Sequence, residues 1–242
     1  MFPFLISPYA IYGIDITYFI ILLPCILLAS IASLRVNTTF KKYSKQLSVR
    51  NISGAQAAQR VLSANGVSNV RIERVSGNLT DHFDPKTNVI RLSDGVYDST
   101  STAAIGVACH EAGHAVQYAQ NYAPIKIRGA FVPVANIGSH LAMPLILLGV
   151  LLASFGSASV ILIELGILCF SLSLLFQLIT LPVEFNASRR ALKAIDEANL
   201  LTEEEQKGAR KTLSAAAMTY VAAALVALAQ LLRLVLLTRD DD

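Results

Sequence analysis

The sequence predicts a mostly α-helical membrane protein with four transmembrane helices and a small cytoplasmic α/β insertion that carries an H-E-x-x-H helix. Three observations lead there. Apolar residues make up 54% of the 242-residue chain and charged ones only 15%, against about half and about a quarter in soluble domains. The apolar excess is gathered into runs close to the roughly 20 residues that a hydrocarbon core requires. The Lys and Arg residues fall almost wholly into two blocks between those runs.

The runs are Ile16 to Leu34, Val132 to Ser154, Ala158 to Leu181 and Tyr220 to Leu237. Residues 1–34 hold no Lys or Arg, so the first run lacks the positive n-region of a cleaved signal peptide. Of the 20 basic residues, 12 lie between Arg35 and Arg128 and 6 between Arg189 and Lys211. The positive-inside rule places both blocks in the cytoplasm, and the N-terminus, the loop near Phe155 to Ser157 and the final "TRDDD" outside. The expected organisation is a first span within 1–34, a cytoplasmic insertion over 35–131, a transmembrane hairpin over 132–181, a cytoplasmic helical segment over 182–219, and a last span with an acidic tail over 220–242. Cys25 and Cys169 fall inside spans and Cys109 in the insertion, so they are expected to be packing residues rather than a disulfide framework. Small residues such as Gly149 and Ala153 permit close helix packing, within or between chains.

The insertion opens with the basic run "RVNTTFKKYSKQ", which suits either anionic headgroups or a solvated linker. "SGAQAAQRVLSANG" predicts a helix capped by Ser53 and stopped at Asn65-Gly66. "NVRIERV" and "TNVIRLS" alternate as short strands, with "SGN" a turn between them. "DSTST" supplies capping residues for a helix over Ala103 to Gln120, with Pro124 beyond its end. The segment "EFNASRRALKAIDEANLLTEEEQKGARKT" is expected to form two short helices joining spans three and four.

The helix over 103–120 holds "CHEAGHAVQ". Positions four apart share a helix face, so His110 and His114 can present both imidazoles to one ion, with the Glu111 carboxylate in reach of water bound there. A catalytic zinc site keeps three protein ligands and an open fourth position. The third candidate is Glu184 in "LPVEFNASRRA", which the hairpin of spans two and three returns to the same side of the membrane. Its competing role is a helix-terminal carboxylate paired with Arg189 or Arg190. The site calls for one Zn2+ per chain. Cys109 points about a hundred degrees from His110 on the same helix and is expected to be a small buried hydrophobe.

With "DHFDPKTNVIRLS" upstream, "HEAGHAVQ" and then "LPVEFNASRRA" across a membrane hairpin, the chain resembles the YugP-like family of bacterial zinc-dependent membrane proteases over nearly its whole length. The resemblance implies a plasma-membrane metallopeptidase with His110, His114 and Glu184 as ligands and Glu111 as general base. A more distant likeness is to the HtpX-type and CAAX-processing membrane peptidases, whose third-ligand segment reads E-[FY]-x-A-D. Ser188 stands here in place of that Asp, so any orienting role of the carboxylate must pass to a shorter hydroxyl or move elsewhere.

Further candidates are weaker. His82, in "TDHFDP", is either a donor to the oxyanion of a tetrahedral intermediate or a solvated turn residue. His140 shares a face of span two with Asn136 and is a second candidate donor. The strand "TNVIRLS" is either an edge along which a peptide adds as a further strand or an ordinary hairpin strand. Ser173, Gln177, Thr180 and Glu184 form one polar stripe on span three, suited to a wet cavity or to interhelical hydrogen bonds. Glu164 and Arg233 either pair across spans three and four or snorkel outward. The expected partners are a peptide or protein substrate, membrane-associated or free, and the lipid bilayer, with no nucleic acid. Two other classes stay open: a non-catalytic zinc scaffold, which would close all four metal positions, and a metal transporter, which would bury its ligands near the bilayer midplane.

Overall fold

The computed structural model describes residues 16–239, so the expected placements of the extreme N-terminus and of Asp240 to Asp242 lie outside the described residues. Helix α1 (Leu23–Tyr43) is opened by a π-helical turn (Tyr18–Leu22). After it come α2 (Gly54–Ala64), β1 (Arg71–Val75), β2 (His82–Asp84), β3 (Val89–Ser93), α3 (Asp94–Tyr97), α4 (Thr102–Ala119), α5 (Ala123–Leu151), α6 (Ser157–Glu197) and α7 (Glu203–Arg239). Four of these, α1 with its π turn, α5, α6 and α7, are long and apolar enough to cross a membrane.

All four outrun the predicted spans. Residues 182–219 do not form two short helices of their own; they are the end of α6 and the start of α7. Pro182 is accommodated inside α6, and the Ala, Arg, Leu and Lys residues that follow favour continued helix. The break comes only beyond Glu197, where Asn199 takes a left-handed φ of 49°. There the Thr202 N–H donates to Glu205 Oε2 (2.8 Å) while Thr202 Oγ1 accepts from the Glu205 N–H (3.4 Å), a reciprocal cap that starts α7.

The chain forms two compact units. The first holds 16–31, 127–180 and 220–239. Its α5–α6 hairpin packs through small residues: a Cβ at Gly138 would lie 2.7 Å from the Cys169 carbonyl oxygen, and one at Gly166 would lie 2.9 Å from that of Ala142. Arg233 is buried with its guanidinium 5.7 Å from the Tyr18 ring centroid; it does not pair with Glu164, which is exposed on α6. In the polar stripe of α6, Ser173 Oγ and Thr180 Oγ1 are buried without a protein hydrogen-bond partner.

The second unit holds 32–126 and 181–219, and its core is formed by α2, β3, α4 and the flanking turns of α6 and α7. Helix α2 begins as expected: Ser53 Oγ accepts from the Gln56 N–H, and the Gln56 side chain accepts from the Ser53 N–H. The sheet departs from expectation. Its order is β1-β3-β2, with β1 parallel and β2 antiparallel to β3. "HFD", expected in a turn, is therefore a strand, and β3 is central, with no edge left for an incoming peptide. Local chemistry sets the β2–β3 turn. The Asp84 carboxylate accepts from the Lys86 N–H and from Thr87 Oγ1, and Asn88 supplies the left-handed φ of 52°. Asp81 ties the far end by accepting from the backbone N–H and the hydroxyl of Ser93 (2.7 and 2.9 Å).

Helix α4 is capped by Ser101, whose hydroxyl accepts from the Ala104 N–H, and is buried along nearly its whole length. Its small residues allow this. A Cβ at Gly113 would lie 2.9 Å from the Ala187 carbonyl oxygen of α6, a backbone atom that cannot rotate away; one at Gly106 would meet the Cβ of Ala209 at 3.2 Å. Gly113→Ala gains about 1 kcal/mol of helix propensity but overpacks backbone at a cost of about 1–3 kcal/mol. A net loss of stability is expected on chemical denaturation in detergent, larger than for Gly106→Ala.

Candidate metal centre

Helices α4 and α6 bring the candidate ligands together. His110 and His114 stand one turn apart on α4, their rings edge to face with centroids 4.7 Å apart. Glu184 projects from α6 between them: its Oε2 lies 3.3 Å from His110 Nε2 and 3.6 Å from His114 Nε2. Among the described residues these three form a group whose ligand atoms all lie within 4.8 Å of one another. Metal–ligand bonds of about 2.0–2.1 Å in a tetrahedron place neighbouring donor atoms about 3.4 Å apart. The two observed separations bracket that value. Two imidazoles and one carboxylate, with no fourth protein ligand grouped with them among the described residues, are a donor set that zinc accepts.

The Nδ1 atoms face away from the metal position and are held. Ser188 Oγ lies 3.1 Å from His110 Nδ1, so the hydroxyl at this position does contact the candidate ligand imidazole. His114 Nδ1 lies 3.0 Å from Gln117 Oε1, a contact not anticipated from the sequence. The signal for it was present, since Gln117 continues the spacing of His110 and His114 along one face of the helix. Arg190 is engaged elsewhere, donating to Asn186 Oδ1 and Gln120 Oε1 (2.7 and 2.6 Å).

Two buried carboxyls face opposite pressures. Burial pushes Glu184 up, but its contacts with the His110 and His114 rings outweigh it and hold the carboxyl well below its usual range. Glu111 is 8% exposed and is pushed up to about 7, chiefly by burial. The charge of His110 and the nearby Phe83 backbone oppose that rise, and the charges of Glu184 and Asp81 add to it. A carboxylate poised in this way exchanges a proton near neutrality. Both β2 and β3 pack against α4.

The remaining candidates stand outside this group of three. His82 is exposed on β2, and its Nδ1 donates to the Thr80 carbonyl (2.8 Å); the neutral ring then has no proton on Nε2 to donate. His140 belongs to the other unit, exposed on α5, with Nδ1 bonded to the Asn136 carbonyl (2.7 Å). Cys109 is fully buried, and burial pushes its thiol far up, so it packs as an apolar residue and offers no thiolate.

The folded-state pKa of Glu111 lies above the unfolded value of 4.5. Its contribution to stability is therefore fully present below about pH 4.5 and is lost as pH rises through about 7, up to about 3 kcal/mol in all. Metal-free Glu111→Gln is expected to unfold at a higher temperature than metal-free wild type at pH 8, with the gap closing toward pH 5. A gap independent of pH would show that the carboxylate is not desolvated.

Comparison with known proteins agrees with the donor set. Residues 18–239 match the family described as "Putative neutral zinc metallopeptidase". A Bacillus subtilis (strain 168) protein named "Putative membrane protease YugP" is 47% identical over 214 residues, covering 87% of this chain and 93% of that protein. No solved structure matches the chain. The family match spans all four long apolar helices and both ligand segments, and the chain belongs to this zinc metallopeptidase family.

Proposed function

We propose that this protein is a zinc metalloendopeptidase of the bacterial plasma membrane that hydrolyses peptide bonds at the cytoplasmic face. The convergence of His110 Nε2, His114 Nε2 and Glu184 Oε2 beside the buried Glu111 carboxyl carries this reading. Those three atoms would hold one zinc ion. When bound, zinc supplies Lewis acidity that polarises a scissile carbonyl and acidifies water. Glu111 takes the proton of the attacking water on its carboxylate and returns it to the leaving amine. The positive-inside distribution of Lys and Arg supports the cytoplasmic placement, with both chain ends outside.

A purely structural zinc site favours four Cys or His ligands. Here Cys109 is not among the three residues that converge, and a buried carboxyl poised near neutrality would have no purpose. Substrate is proposed to lie along the outer edge of β2, since both sides of β3 are occupied and β2 packs against the helix that carries Glu111. Main-chain hydrogen bonds along that edge would position the peptide independently of its side chains.

The deciding comparison is wild type against Glu111→Gln, purified in detergent, with zinc per chain and cleavage of an unfolded protein substrate both measured. Both should hold about one zinc per chain, and cleavage by the variant should fall by at least a hundredfold, the lower end of general acid–base contributions. Zinc in both with cleavage in neither, across several substrates, would instead support a scaffold. For the β2 edge, Phe83→Pro should lower cleavage more than tenfold while leaving zinc content unchanged; equal loss of both would sink the assignment.

A further inference from the structure

Gln117 is fully buried on α4, and the hydrogen bonds around its amide leave one orientation. Its Nε2 donates to the carbonyl oxygen of Val183 and to Asn186 Oδ1, each at 2.9 Å. A carbonyl oxygen only accepts. Asn186 presents its oxygen rather than its nitrogen here because that atom also accepts from Arg190 Nε at 2.7 Å, and a guanidinium only donates. The nitrogen of Gln117 must therefore face α6, and its oxygen must face His114 Nδ1 at 3.0 Å. An amide oxygen accepts and cannot donate, so Nδ1 of His114 carries the proton. In the neutral ring, Nε2 then keeps its lone pair, aimed toward Glu184 Oε2.

His110 is held differently. Its Nδ1 meets the Ser188 hydroxyl, which can donate or accept and so dictates neither tautomer. The second anchor of Gln117 is the carbonyl of Val183, the residue immediately before Glu184. One side chain thus sets the protonation of one ligand and pins the backbone next to another.

We propose that Gln117 is the positioning residue of the metal centre: its amide, oriented by Val183 and Asn186, locks His114 in the Nδ1-protonated tautomer and clamps the α4 ligand helix to the turn of α6 that carries Glu184. The proposal rests on the reading of His110, His114 and Glu184 as a zinc site, but its first test does not. The chain holds only four histidines, so their ring nitrogens can be resolved by 15N NMR of histidine-labelled full-length protein in detergent. In metal-free wild type at alkaline pH, with the rings neutral, His114 should show the Nδ1-protonated tautomer, whereas His110 is free to take the Nε2-protonated form by donating to Glu184. An Nε2-protonated His114 in wild type overturns the proposal without recourse to any variant.

Gln117→Leu should release the lock, giving mixed tautomers at His114 and a zinc affinity 10- to 100-fold weaker in chelator competition. An unchanged tautomer and an unchanged zinc affinity in a folded Gln117→Leu protein would also overturn it. Asn186→Ala, which leaves the Gln117 oxygen and the Val183 anchor in place, should weaken zinc binding less than Gln117→Leu; a larger loss would move the orienting role away from Gln117. Wild type that shows the expected tautomer yet binds no zinc would refute the metal-site reading and leave the tautomer lock standing.

Discussion

The candidate site depends on how closely two helices can approach. Zinc-scale ligand spacing requires donor atoms about 3.4 Å apart, and His and Glu side chains reach that spacing across α4 and α6 only if the backbones nearly touch. Gly113, between the two histidines, permits this: its missing Cβ leaves room for the Ala187 carbonyl of α6. Ala112 and Ala187 are themselves buried, so the contact is built from the smallest side chains available. In H-E-x-x-H, the residues that do no chemistry set the distance at which the others can do it.

Close packing has an electrostatic consequence. Two carboxyls are buried in the same few turns, and the environment drives them apart in acidity. Glu184 lies between two imidazoles, and that favours its ionised form; Glu111 is beyond their direct hydrogen bonds, and desolvation favours its neutral form. In the proposed mechanism, opposed shifts of this kind divide labour between ligand and proton carrier without different residue types. The polar atoms behind the site are satisfied in a chain running from His114 through Gln117 and Asn186 to Arg190 and Gln120. Its inner end is buried at His114 and Gln117, where a satisfied amide holds one geometry and an unsatisfied one would be a cost.

The three-stranded sheet supports the site from the other side. Asp81 and Asp84 fix β2 at both ends, against Ser93 and through the turn after Asp84. That seats a strand of three residues against the helix that carries Glu111. Its shortness hid it in the sequence: "HFD" has too few residues to show alternation, and its flanking Asp residues read as turn chemistry.

What the sequence determined by itself was whatever depends on local spacing. Apolar runs of membrane-crossing length marked four long helices, the Ser53 cap marked the start of α2, and the four-residue spacing of His110 and His114 put both rings on one face of a helix. Glu184 was legible too, because a hairpin of two spans must return the chain to the side it left. Ser188 was noticed as a departure from a motif, though not what it touches. The tertiary structure alone decided what depends on residues distant in the chain. Strand order is one example: β1 pairs with β3 across the sequence of β2, and no local pattern distinguishes that from a hairpin. The orientation of the Gln117 amide is another, since its acceptors lie 66 and 69 residues away. Periodicity encodes which face a residue occupies, but hydrogen-bond direction is settled only when both partners are in place.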